Sequence, residues 1–311
     1  MVSAPTGVAS EALLETLDEA LSLLGEYAFE VRQTADPLPS LLSQCEAFCD
    51  SVPETEPVRT IHHMASSGGT MISKCLAALP NTLLLSEINP LSTLHIREGE
   101  KQFSPTDLLL ALRKAVRPQD EDTLIRVFLS SMTALRAESA AKGLRLVLRD
   151  HPHSSFCTTA EAAARPTLYE LLAPEMPCRS VVTVRHPLDS YLALQQNKWL
   201  HFSPSTLEEY AVRYEAFLDR HAGIPVCRYE DFVADPEATL EQICGYLELP
   251  TMAGVPELIS AVTLTGDSGR RSAIIEARPR RPVPDELRAA ALVSKTYQRL
   301  CERFDYTSAA D

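Results

Sequence analysis

Glycine is scarce in this chain, with 11 in 311 residues, and basic residues are outnumbered, with 29 Lys and Arg against 42 Asp and Glu. The formal charge of -13 argues against a broad surface for nucleic acid or anionic membrane, because such contacts need net positive potential. A local basic pocket remains compatible with it. No apolar run reaches the roughly 18 residues of a membrane-spanning helix. The N-terminus, MVSAPTGVASEALLETLDEA, carries acidic residues where a secretion signal needs a basic start and an apolar core. A soluble, cytoplasmic protein is expected. The eight cysteines, at 45, 49, 75, 157, 178, 227, 244 and 301, form no CxxC pair and no Cys/His cluster at zinc-ligand spacing. They are expected to be free, mostly buried thiols, with no metal.

What is present is alternation. Apolar positions at helical spacing run from about residue 10 to 50 and end at the polar linker PETEP, which predicts an appended helical segment over 1–56 and a larger domain over 57–311. From Val58 the pattern changes. VRTIHHM, NTLLLSE, GLRLVLRD, RSVVTVR and IPVCRYED read as strands; GTMISKCLAAL, SPTDLLLALRKAV, DTLIRVFLSSMTALRAESAA, PLDSYLALQQNKW and DELRAAALVSKTYQRLCERF read as helices. Mostly apolar strands separated by helices predict an α/β class, a parallel sheet covered on both faces.

Two of the few glycines, Gly68 and Gly69, sit together where the first strand hands over to a helix, in HHMASSGGTMISKCLAALP. In an open parallel sheet, ligands collect at the carboxyl ends of strands. Glycine there permits a sharp turn and a close backbone approach, and the free N–H groups of the following helix suit a phosphate. A plain tight turn would need the same residues. If a ligand is the reason, a Cβ at either position should harm ligand binding more than stability.

Four stretches together resemble the sulfotransferase family. Ser67-Gly68-Gly69-Thr70 is similar to the end of that family's 5′-phosphosulfate loop, Pro-Lys/Arg-Ser-Gly-Thr-Thr, with one Gly in place of Thr. VVTVRHPLDSYLA resembles its strand-Arg-x-Pro-helix element for the 3′-phosphate, and CRYEDFVADPEATLEQICGYLELP its strand-Tyr-Glu-Asp-helix segment. Residues 265–282 are similar to its late basic loop. The resemblance covers about Val58 to Pro284 and implies a P-loop-like sulfotransferase fold. It also implies an enzyme that takes 3′-phosphoadenosine 5′-phosphosulfate (PAPS) as donor, without a metal, and sulfurylates a small-molecule, carbohydrate or lipid acceptor, with no nucleic-acid partner.

Carried over position by position, the resemblance implies that Ser66, Ser67, Gly68, Gly69 and Thr70 hold the 5′ side of the donor. Arg185, Arg270 and Arg271 would hold the 3′-phosphate. Where the family has a serine eight residues past the arginine this chain has Ala193, with Ser190 on the same helical face. The larger departure is Ser66, which stands where the family has Lys or Arg. A replacement cation is expected from His62, His63, Arg149 or the late loop. Glu87, after the second strand, is the first choice for a general base, and His151, in LVLRDHPHSSF, the second. A P-loop kinase is disfavoured because G-x-x-x-x-G-K-[ST] is absent. An inactive 3′-phosphoadenosine-nucleotide-binding protein remains the alternative.

Overall fold

The computed structural model describes residues 16–23, 40–44, 55–94, 96, 104–265, 275–277 and 280–308. The chain divides into two compact units, Met1–Glu54 and Thr55–Asp311. Among its described residues the first contains helices over 16–23 and 41–44.

The second unit is built on five parallel strands in the order β2-β3-β1-β4-β5, namely β1 Val58–His63, β2 Thr82–Ile88, β3 Arg145–Asp150, β4 Cys178–Val184 and β5 Val226–Arg228. Strand alternation sends successive side chains to opposite faces. Ile61, Val147 and Val181 accordingly pack with helix α1 (Gly69–Ala78) through Ile72, Cys75 and Leu76. On the other face Leu146 and Leu148 meet Phe128 and Met132 of α2 (Glu121–Ala141). Val182 and Val184 meet α3 (Pro187–Asn197) and α4 (Leu207–Arg220) there. Ile243 and Leu247 of α5 (Pro236–Leu247) complete the α1 face. Both faces are therefore covered, as a buried parallel sheet requires.

Local chemistry sets the helix ends. Asp120 accepts from Thr123 N–H at the start of α2, Thr206 from Glu209 N–H at α4, and Asp235 from Ala238 N–H at α5, each satisfying an orphan donor. Pro187 and Pro236 occupy the first turns of α3 and α5.

The expected strand IPVCRYED is shorter than its spacing suggests. β5 stops at Arg228, and Tyr229–Ala234 is already helical. The last predicted helix is two, Asp285–Val293 and Lys295–Arg303, broken at Ser294, whose hydroxyl accepts from Tyr297 N–H and donates to Glu208. Helix α4 lies outside the predicted alternation, yet Tyr210, Tyr214 and Phe217 make it a main element of the core. Every described cysteine is free, and all but Cys178 are buried. No helix among the described residues is long and apolar enough to cross a membrane.

Candidate active site at the carboxyl edge of the sheet

All five strands run the same way, so their carboxyl ends share one edge. Past β1 the chain turns through Ser66 (φ 65°) and Gly68 (φ 85°), and α1 begins at Gly69. The Ser67 hydroxyl is not directed outward. It donates to the Met64 carbonyl at 2.6 Å, and Ser67 is fully buried. Of the three loop hydroxyl residues, Ser66 and Thr70 keep exposed surface and Ser67 does not.

An ideal Cβ on Gly68 would lie 2.0 Å from Cδ2 of the Tyr229 ring, and one on Gly69 would lie 2.1 Å from Cδ2 of the His63 ring. The glycines therefore admit two aromatic side chains of the protein against the loop backbone, a reason for the missing Cβ beside the turn and the ligand that the sequence suggests.

Two arginines reach this loop from neighbouring strands. Arg149, at the end of β3, donates from Nη2 to the Thr70 hydroxyl at 2.8 Å and from Nη1 to Ser86 Oγ at 3.0 Å and Thr265 O at 2.9 Å. Its Nε donates to His63 Nε2 at 3.0 Å, while His63 Nδ1 donates to the Met64 carbonyl at 3.2 Å. The His63 imidazole is thus neutral. Burial, reinforced by the Arg149 charge, holds it well below the ordinary histidine range. Arg185, just past β4, donates from Nη1 to the Ser66 carbonyl at 3.0 Å and lies over the Tyr229 ring at 5.1 Å. The Tyr214 hydroxyl brackets its backbone, accepting from its N–H at 3.0 Å and donating to its carbonyl at 3.2 Å.

Among the described residues of the four expected sources of a replacement cation, Arg149 is the one whose charge is placed on the loop. His62 turns instead into the sheet and meets Asp150. Arg270 and Arg271 lie outside the described residues. The late segment is nevertheless fixed at both ends. Thr265 O receives Arg149, while Arg280 pairs with Asp189 at 3.1 Å and donates to His186 Nδ1 at 3.0 Å. Asp189 is therefore the partner of Arg280.

Glu87 lies where the β2–β3 register shifts, between Leu85 and Ile88, in a left-handed conformation (φ 61°). That irregularity brings its Oε1 within 4.0 Å of Arg149 Nη2, so Thr70, Arg149 and Glu87 converge. His151 follows β3, with its backbone N–H donating to Asp150 Oδ1 at 2.6 Å and its ring 6.2 Å from that of His153. Ser190 has no exposed surface and lies in the core beside the Tyr210 phenol, whose pKa burial drives well above the ordinary tyrosine value. Tyr229 and Ser86 were absent from the expected set. The first had a signal in the Tyr-Glu-Asp stretch, but the second had none in its local sequence.

The fold has relatives among known proteins. Among structures, the sulfotransferase domain from the Synechococcus PCC 7002 olefin synthase is 18% identical, with 82% of this chain and 98% of that one covered and a TM-score of 0.51. The sulfotransferase domain from the curacin biosynthetic pathway is 15% identical over 81% and 98%, at 0.47. A mouse sulfotransferase complexed with PAP is 11% identical over 69% and 67%, at 0.35. No curated protein matches. The model of the sulfotransferase family matches residues 63–253, from the last residue of β1 to beyond α5. That span holds the loop, both arginines and Glu87, and with it the chain belongs to the sulfotransferase family.

Proposed function

We propose that this chain transfers a sulfuryl group from PAPS to a hydroxyl or amine of an acceptor. The observation that carries the proposal is the pair of arginines on one loop, Arg149 at Thr70 and Arg185 at Ser66. A donor with several negative charges needs such local cations and N–H groups in a protein of net charge -13.

In this reading the α1 N–H groups, the Thr70 hydroxyl and Arg149 hold the 5′-phosphosulfate. Arg149 supplies the positive charge that Ser66 lacks. Arg185 holds the 3′-phosphate, since only one of its five side-chain N–H groups is engaged among the described residues. Arg270 and Arg271, between the two anchored ends of the late segment, are its proposed companions. The acceptor atom attacks sulfur as the bond from sulfur to the 5′-phosphate oxygen breaks, and Glu87 takes the acceptor proton. His151 is the second choice for that role. The products are the sulfated acceptor and 3′-phosphoadenosine 5′-phosphate (PAP). A small metabolite, a sugar or a lipid would each supply a suitable hydroxyl. The second reading, a nucleotide-binding protein without transfer, is favoured by Ser66 alone and predicts PAP binding with no donor cleavage.

The test is nucleotide-dependent melting. A ligand that binds only the folded state at about 100 times its Kd stabilises it by about 2.7 kcal/mol, so PAP should raise the melting temperature by several degrees. ADP, lacking the 3′-phosphate, should do so far less. Equal shifts would overturn the donor assignment. Arg185→Ala should then lower PAP affinity by about 10- to 100-fold, the worth of one charge-assisted hydrogen bond, while ADP binding changes little. Calorimetry with both nucleotides reads this directly, and unchanged selectivity would make Arg185 a structural residue.

A further inference from the structure

Behind the catalytic edge, three titratable side chains from distant parts of the chain meet inside the protein: His62 of β1, Asp150 at the end of β3 and His221 just past α4. All are buried, at 0%, 3% and 2% exposure. One donor atom from each lies within 4.8 Å of the other two, and the His62 and His221 ring centroids are 4.6 Å apart. We infer that these three residues form a binding site for a divalent transition ion of the zinc type, a site independent of the nucleotide.

The support lies in how the remaining atoms are used. A metal-bound histidine characteristically gives its other ring nitrogen to a carbonyl, carboxylate or similar acceptor, and a ligating carboxylate is itself hydrogen-bonded. His221 donates from Nδ1 to the Phe217 carbonyl at 2.7 Å. Its Nε2 is buried with no hydrogen-bond partner among the described residues. His62 has Nε2 on the Thr60 hydroxyl at 2.7 Å, and Thr60 continues to Ser180 Oγ at 2.7 Å. Asp150 accepts the His151 N–H on Oδ1 and faces His62 Nδ1 with Oδ2 at 2.7 Å. The three atoms that face one another, Asp150 Oδ2, His62 Nδ1 and the unpartnered His221 Nε2, are one oxygen and two nitrogens, the borderline donor set that suits zinc or another late first-row divalent ion.

Protonation favours the same assignment. Because the His221 Nδ1 proton is given to the Phe217 carbonyl, its unpartnered Nε2 is the ring nitrogen left to face an ion. Without a metal, His62 donates its Nδ1 proton to Asp150. With one, Nδ1 faces the ion and a proton on Nε2 is donated to Thr60 Oγ1, whose own hydroxyl proton turns to Ser180. Phe217 and Phe156 flank the His221 ring at 4.6 and 6.5 Å, and the Tyr169 ring meets His62 edge-on at 6.2 Å. This surround is dry and strengthens ion–ligand attraction. Bonds of about 2.0–2.1 Å to a tetrahedral ion require the His62–Asp150 pair to open slightly and His221 to close on it.

The experiment is metal analysis of the full chain purified from zinc-supplemented medium and freed of loose ion. About one zinc per chain is expected, falling below about a tenth in His221→Phe and in Asp150→Asn, because each removes one of only three ligands. PAP-dependent melting of His221→Phe should persist, which separates this inference from the donor assignment. Cobalt loading of the chelator-treated wild type should give visible ligand-field absorption, so the wild type alone is informative if a variant does not fold. A wild type that is zinc-free and gives no cobalt spectrum would overturn the site. Undiminished zinc in either folded variant would do the same.

Discussion

Arg149→Ala should slow cleavage of PAPS by about 10²- to 10³-fold, the cost of removing one preorganised donor aimed at developing charge. Negative charge grows on the 5′-phosphate as sulfur departs, and position 66 offers no cation to meet it. In the proposed reaction Arg149 would do so from β3, with its guanidinium 2.8 Å from the Thr70 hydroxyl and its side chain nearly without solvent contact. In such surroundings a charge acts more strongly than at a surface. Its direction is fixed by His63, Ser86 and Thr265, so little reorganisation is needed during the reaction. Arg149→Lys should recover only part of the rate, since one ammonium cannot bond all these groups in the planar arrangement of a guanidinium. Liberation of PAP from PAPS, followed chromatographically with an acceptor panel and with water alone, gives the rate. Circular dichroism and PAP calorimetry on the same samples separate lost chemistry from lost fold or binding. A variant that cleaves at the wild-type rate would remove Arg149 from the mechanism.

Gly69→Ala should destabilise the protein by about 1–3 kcal/mol, the range for forcing extra atoms into a packed interior. The added Cβ would fall 2.1 Å from the His63 ring, and that ring cannot step aside cheaply because its two nitrogens are held by Met64 and Arg149. Gly68→Ala should cost more, since a left-handed backbone adds about 1 kcal/mol for a residue with a Cβ to the clash with Tyr229. Denaturant unfolding measures both losses. The diagnostic arm is a double-mutant cycle. In a His63→Ala background, Gly69→Ala should lose most of its cost, because residues in contact are not additive. Full additivity would mean that the glycine answers to the turn or to the ligand and not to the histidine.

Much of this site was legible along the chain because each strand of a parallel sheet delivers its next residues to the same edge. Reading VRTIHHM, GLRLVLRD and VVTVR as strands was enough to bring Ser66, Arg149 and Arg185 together. The partner of each was not legible. Asp189 is four residues from Arg185 and looks like its counter-ion, but it lies on α3 and meets Arg280, 91 residues away. Glu87 reaches Arg149 through a shift of register that no local pattern encodes. Ser190 has the helical spacing of an anion-facing serine, but α3 is buried around most of its surface. The His62, Asp150 and His221 cluster was invisible for the same reason, since ligand spacing is informative only when the ligands share one short element.

The central position of β1 also bears on how the chain is made. β1 is the first strand of this sheet to be synthesised, yet the partners on its two sides come much later. The His62–Asp150 and Thr60–Ser180 hydrogen bonds span 88 and 120 residues. At about 5–20 residues per second on the ribosome, the nascent segment waits roughly 6–24 s for its second neighbour. An uninterrupted β-branched stretch would spend that interval as a template for misassociation. Arg59, His62 and His63, all buried in the finished sheet, are during that interval polar residues on a strand with open edges, and polar interruptions of this kind weaken strand-to-strand association before the sheet closes over them.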